Sequence, residues 1–230
     1  LALWRWFARR DGRTMPDVAL PPKARKTPEA WVPEEVERLD KAARAADWWI
    51  GGVPANLYFP ALIGVAINTG ERHGAIHHLA RGEIHLEKRL VYFRAEHRKG
   101  GACDARKPIS AETAHDLRLL LEASPAEVFN VVQLTSTYHP MRRLLLEAGL
   151  KPTRNNMFHA FRRYHATQVA IVGGDPTSAL GHSDPSLARK SYVDPTQLPA
   201  ITPGVRPVAT PTPQHRRPGW LSRITGRAAS

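Results

Sequence analysis

Four short patterns set chemistry-bearing side chains at fixed spacings. In Thr69-Gly-Glu-Arg72 an arginine directly follows a helix end and a glycine, where its guanidinium is held rather than left to sweep through solvent. Arg98-Lys-Gly-Gly101 puts Lys99 at what reads as a hairpin tip. His159-Ala-Phe-Arg162 has the i,i+3 spacing that sets an imidazole and a guanidinium on one helix face, leaving Phe158 and Phe161 free to enter a core. Leu180-Gly-His182 and Ser183-Asp-Pro185 lead to Tyr192 in Arg189-Lys-Ser-Tyr-Val-Asp194. Each pattern alone has a plainer reading: a solvated turn lysine, a surface helix with incidental bases, a core aromatic. The basic groups among them are donors of one sign, and donors of one sign suit an anion.

The whole chain points the same way. Its 230 residues carry 33 Lys+Arg against 21 Asp+Glu, a net charge of +12, so a polyanion is the expected partner. With 42% hydrophobic and 23% charged residues it can fill one full core, which excludes a wholly disordered basic tail. The longest apolar run, Pro60 to Ile67, is far short of the roughly 20 residues that span a bilayer. The opening Leu1 to Arg10 breaks its apolar residues at Arg5 and has no long apolar stretch before a cleavage site, so secretion is unsupported. Cys103 is the single cysteine, which excludes an internal disulfide and a thiolate metal pair and fits a reducing cytoplasm. The first residue is Leu rather than Met, and the expectation is the C-terminal part of a longer protein.

A metal enzyme is the rival chemistry, because eleven histidines include His73, His77, His78 and His85. His73 and His77 share a face only if that stretch is helical, and no Glu-flanked zinc pattern accompanies them. No metal and no cofactor are expected.

The elements that must position these residues follow from periodicity. Pro33 begins a helix with an acidic first turn and with Val36, Leu39, Ala43 and Ala46 on one face, so the globular domain starts near Trp31. Further helices are predicted over Pro60 to Asn68, around Leu117, Leu120 and Leu121, over Met141 to Ala148 before Gly149, and over Phe158 to Val172 before Gly173. Gly82 to Phe93 reads as a strand entering a small sheet, with Lys99-Gly-Gly101 as the turn. The predicted fold class is mainly α with a small antiparallel β-sheet (α+β). Residues 1–30 read as the end of a helix and a basic linker. After Tyr192, prolines recur at 195, 199, 203, 207 and 211, and from Thr196 onward there are five Arg and no acid, the composition of an extended or disordered tail over 196–230.

In order along the chain, the motifs Thr69-Gly-Glu-Arg72, Glu96-His-Arg-Lys-Gly100, Ala148-Gly-Leu150, His159-Ala-Phe-Arg-Arg163, Leu180-Gly-His-Ser-Asp-Pro185 and Tyr192-Val-Asp194 resemble those of the tyrosine recombinases, the lambda-type phage and mobile-element integrases. The resemblance covers residues 31–195 and implies the integrase catalytic-domain fold. It further implies site-specific recombination or integration of double-stranded DNA by a homo-oligomer, a tetramer on DNA, in a prokaryotic cytoplasm. Residues 1–30 would be the remnant of an N-terminal core-binding region.

Cutting DNA without a metal needs a nucleophile, a binder for the charge that builds on phosphorus, and an acid for the leaving alkoxide. The resemblance makes Tyr192 the nucleophile, forming a 3′-phosphotyrosyl link that conserves the bond energy for religation. Arg72 and Arg162 would grip the non-bridging oxygens, since guanidinium offers paired donors and stays charged. Lys99 would protonate the 5′ oxygen, His159 occupies the second proton-handling position, and His182 would donate a hydrogen bond to the phosphate. Two departures carry expectations of their own. His159 and His182 are 23 residues apart, shorter than usual in the family by roughly one helical turn, so helix packing behind the site is expected to differ. The acid often found three residues after the first arginine is Ala75 here, so the orientation of Arg72 is expected to come from elsewhere. The alternatives are a non-catalytic DNA-binding remnant of a recombinase and, ranked below it, a type IB topoisomerase. In this family the segment after the tyrosine often packs on a neighbouring protomer, and Trp220, Leu221 and Ile224 are the residues that could dock.

Overall fold

The computed structural model describes residue 10 and residues 27–99, 103–124, 127–153, 157–181 and 184–199. The predicted helix at Pro33 is α1 (Pro33–Ala45), which buries Val36, Leu39 and Ala43. Its Glu35 carboxylate accepts from the Val32 N–H at 3.1 Å, satisfying one of the amides at the helix start. A short antiparallel hairpin, β1 (Trp49–Ile50) and β2 (Val53–Pro54), follows, turned by Gly51-Gly52. It was not expected, although Gly-Gly between apolar residues is a recognised hairpin signal.

The central element is α2 (Ala55–Thr69), apolar on every face and packed against α1, against α4 (Ala111–Ala123) and against α6 (Phe158–Ile171). It starts five residues before the predicted Pro60, which lies inside it. A proline normally marks a first turn; here the helix runs through it, and the carbonyl left without an amide belongs to exposed Asn56. At the end of α2, Gly70 takes the left-handed conformation at φ 62°, and a Cβ there would lie 2.5 Å from the His165 ring. The chain can therefore turn directly into α3 (His73–His77), with Arg72 as its N-cap residue.

The expected single strand over 82–93 is two: β3 (Ile84–His85) and β4 (Leu90–Phe93), paired antiparallel across a turn in which Arg89 has φ 48°. That turn contains no Gly or Pro, so it left no local signal. Strand β4 pairs with β5 (Ala105–Pro108), giving the order β3-β4-β5 and placing residues 94–104, with Lys99, between the two long strands as predicted. Helix α4 is capped by Ser110, whose side chain accepts from the Thr113 N–H, and α5 (Tyr138–Glu147) ends before Gly149 at φ 67°. After α6 come the short α7 (Pro176–Leu180) and α8 (Pro185–Tyr192).

The main core runs from Trp31 to Phe161. A second small cluster joins Ala166 on α6 to Leu180 and Val193 and packs against Tyr192 and Leu198. Asp194 accepts from the Ala30 N–H at 3.0 Å, and Gln197 donates to the Ala30 and Trp31 carbonyls at 2.9 and 3.3 Å, so the stretch after Tyr192 folds back on the start of the domain. Burial raises the Asp194 pKa, but bonds from Thr196, Ala30 and Gln197 outweigh it and hold the carboxyl below its usual range. Apart from Arg10 and residues 27–30, the expected N-terminal remnant lies outside the described residues, as do the tail from residue 200 and its docking residues Trp220, Leu221 and Ile224.

Candidate active site

Arg72 is placed by its neighbours. Thr69 donates its hydroxyl to the Val65 carbonyl at 2.7 Å and accepts from the Glu71 N–H at 3.2 Å, tying the turn to the end of α2. Glu71, 3% exposed, is paired with Arg98 at 2.7 Å. On the other side His73 stacks flat on Phe158, ring centroids 3.5 Å apart, and its Nε2 lies 3.3 Å from the Thr137 hydroxyl. Burial first, and His77 second, drive the His73 pKa down to about 3, so this ring is a neutral packing element. The Arg72 carbonyl accepts from the Ala75 and Ile76 N–H groups, while its side chain has no hydrogen-bond or ion-pair partner among the described residues. With Ala75 in place of an acid, the residues on either side of Arg72, Glu71 and His73, are each held by contacts of their own.

Arg162 is held in the opposite way. Phe158 and Phe161 enter the core as expected, Phe161 edge-on to Trp31 with centroids 4.8 Å apart. Arg162, 1% exposed, donates to the Gly70 carbonyl and, at 3.0 Å, to the Leu180 carbonyl. Its guanidinium carbon lies 5.2 Å from the Tyr192 ring centre, and the two side chains are hydrogen-bonded. Burial lowers the Arg162 pKa and Arg72 adds to that, while Tyr192 and Glu71 oppose it. His159 lies exposed one turn earlier on α6. Its pKa falls through desolvation and then through Arg163, Arg162, Arg72 and Lys99, so its imidazole is neutral near pH 7.

The described residues on either side of the β4–β5 connection are bonded to one another. Asp104 accepts from the Ala95 N–H at 2.7 Å and from the Tyr92 hydroxyl, Arg94 pairs with Glu83 at 2.5 Å, and Arg98 donates to the Cys103 carbonyl. Lys99 is exposed. Lys107 on β5 donates to the Ala179 carbonyl, and burial lowers its pKa, with Arg98 and Arg162 acting the same way and Glu71 opposing. Gly181 ends α7 at φ 63°, and a Cβ there would lie 2.8 Å from an Arg98 nitrogen. Tyr192, half-buried, rests on the cluster of Ala166, Leu180 and Val193.

Five of the six expected site residues, Arg72, Lys99, His159, Arg162 and Tyr192, therefore fall within one electrostatic neighbourhood, while His182 lies outside the described residues. Residues the sequence did not single out are Glu71, Arg98, Lys107 and the His73–Phe158 stack. Glu71, Arg98 and Phe158 each adjoin a motif residue, and that adjacency is the one signal they offered. Of the rival histidines, α3 does bring His73 and His77 to one side, centroids 6.2 Å apart, but His73 stacks on Phe158 and His77 Nε2 meets the Val132 carbonyl at 2.9 Å. Among the described residues no three His, Cys, Asp or Glu side chains are grouped to hold a metal, and no helix is long and apolar enough to cross a membrane.

Solved structures share this architecture. XerA recombinase is 20% identical with a TM-score of 0.58, over 82% of this chain and 67% of that one. A lambda integrase tetramer bound to a Holliday junction is 15% identical with a TM-score of 0.62, over 89% of this chain and 60% of that one. XerH site-specific recombinase bound to palindromic difH substrate in a post-cleavage complex is 18% identical with a TM-score of 0.62, over 78% of this chain and 54% of that one. The chain has the tyrosine recombinase catalytic-domain fold, and it spans about 54 to 67% of the length of these three proteins. The sequence matches no family model and no curated protein.

Proposed function

We propose that this chain is a site-specific tyrosine recombinase that cleaves and rejoins double-stranded DNA through a 3′-phosphotyrosyl intermediate. The observation that carries the reading is the convergence of Arg72, Lys99, His159 and Arg162 on the fold position where Tyr192 meets Arg162. Cations gathered this closely repel one another, and a phosphodiester is an anion that relieves the repulsion.

In this reading Tyr192 Oη attacks phosphorus, its proton passes to the neutral His159, and the bond from phosphorus to the 5′ oxygen breaks as Lys99 gives that oxygen a proton. Arg72 and Arg162 bind the non-bridging oxygens, with His182 as a further donor. Rejoining reverses each transfer. Tetramerisation on DNA is part of the proposal, supported by the lambda integrase neighbour, a tetramer on a Holliday junction. A prokaryotic cytoplasm and a mobile element are the setting it calls for.

The test is a library of nicked duplexes, randomised around the nick, from which denaturant-stable protein–DNA adducts are recovered. Adducts formed by the unaltered chain and absent with Tyr192→Phe support the enzyme. Binding without adducts overturns it in favour of a DNA-binding remnant. With the recovered sequence, strand exchange between two sites marks a recombinase, whereas relaxation of one supercoiled circle marks a topoisomerase.

A further inference from the structure

Arg98 stands one residue before the proposed acid, yet its side chain is only 7% exposed. One terminal nitrogen donates to Glu71 at 2.7 Å, whose side chain is 2% exposed, and the other donates to the Cys103 carbonyl. The nitrogen that binds Glu71 is also the one that would clash with a Cβ on Gly181. A single guanidinium therefore meets the residue before Arg72, the glycine before His182 and the Cys103 carbonyl.

Stability alone is a poor reason for this arrangement. A buried ion pair brings little net stability once desolvation is counted. Arg98 Nε is moreover buried without a hydrogen-bond partner among the described residues. What the pair supplies is geometry, since a planar fork with two fixed ends orients its own backbone.

We infer that Arg98 is a positioning residue, whose fork to Glu71 and to the Cys103 carbonyl fixes the backbone beside the Arg72 turn and so presents Lys99, the next residue, to the departing 5′ oxygen. This rests on the reading of Lys99 as the proton donor. Lys99 gives up one proton, the 5′ oxygen gains it, and Arg98 exchanges none.

The experiment uses duplexes recovered with the unaltered chain, remade with either the natural phosphodiester or a 5′-bridging phosphorothiolate at the scissile bond. The sulfur leaves as a thiolate, whose conjugate acid ionises at about 8.5, and so needs no proton. On the oxygen duplex Arg98→Met is expected to cleave about 100-fold more slowly, the scale of a misplaced catalytic group. Lys99→Ala should lose roughly 100- to 10,000-fold, the range of a missing general acid. On the sulfur duplex both should return to nearly the unaltered rate, while Arg162→Ala stays slow. Arg98→Lys should behave as Arg98→Met does, because one ammonium cannot bridge Glu71 and Cys103 together. The double variant Arg98→Met/Lys99→Ala should be no slower than Lys99→Ala alone.

Arg98→Met that is equally slow on sulfur, or unimpaired on oxygen, overturns the inference. Should Arg98→Met not fold, Glu71→Gln/Arg98→Met removes both buried charges and must show the same sulfur rescue. Adducts absent from the unaltered chain would overturn the proposed function and this inference with it, whereas adducts without rescue would overturn the inference alone.

Discussion

Arg162 and Arg72 act on each other across one site, and the regions that hold them differ in kind. The floor, formed by α2 and α6, fixes Arg162 through its own bonds to the Gly70 and Leu180 carbonyls at 1% exposure. The rim, formed by the Arg72 turn, residues 94–99 and Gly181, leaves the Arg72 side chain without a hydrogen-bond partner among the described residues and Lys99 exposed, and bonds their neighbours Glu71, His73 and Arg98 instead. A group that must stay still can be bonded directly. One that must exchange partners with a substrate is better held by its neighbours, which keeps its donors open.

That contrast can be broken by substitution. Arg162→Ala removes a buried charged side chain and leaves two carbonyls short of donors, so chemical denaturation should show a loss of about 3 to 5 kcal/mol together with loss of cleavage. Arg72→Ala should lose cleavage by roughly 100-fold or more, as for one missing donor to a charged transition state, yet keep its stability. Its removal also relieves the repulsion that lowers the Arg162 pKa. Equal destabilisation by the two variants would erase the distinction between floor and rim.

His73 sharpens it by pH. Its folded pKa lies near 3 against an ordinary value of 6.5, so between these limits the unfolded chain binds a proton that the folded chain refuses. Stability should therefore fall as pH drops below about 6.5, by up to about 1.4 kcal/mol per pH unit until pH 3. His73→Phe should flatten that slope in urea titrations at several pH values. Next in size, Gly181→Ala places a side chain at φ 63° against Arg98, costing about 1 to 2 kcal/mol, and should slow cleavage through the hairpin rather than through Arg162. Smallest is Lys99→Ala, whose melting midpoint should be unchanged, within about 0.5 kcal/mol, although its cleavage collapses.

Much of the floor was legible from the chain. The 3.6-residue spacing of Val36, Leu39 and Ala43 located α1, and the His159–Arg162 interval fell on α6, although Arg162 is buried and His159 exposed, because helix periodicity is a local property and burial is not. The rim was less so. The β3–β4 turn has no Gly or Pro, Pro60 masked the true start of α2, and the bridge from Arg98 to Glu71 joins residues 27 apart. Such a contact depends on where two separate elements come to rest, and no spacing in the sequence encodes it.

What the sequence by itself determined was the identity and order of the reactive groups, an arginine, a lysine, a His-Ala-Phe-Arg helix and a tyrosine, and the basic charge that suits them to a polyanion. The tertiary structure alone decided how each is held. Burial withdraws Arg162 into backbone carbonyls and keeps His73 neutral, and the guanidinium of Arg98, the residue before Lys99, is bonded to Glu71 and the Cys103 carbonyl. The physical reason is that side-chain chemistry belongs to a residue, whereas desolvation and bond geometry belong to whatever the fold packs around it.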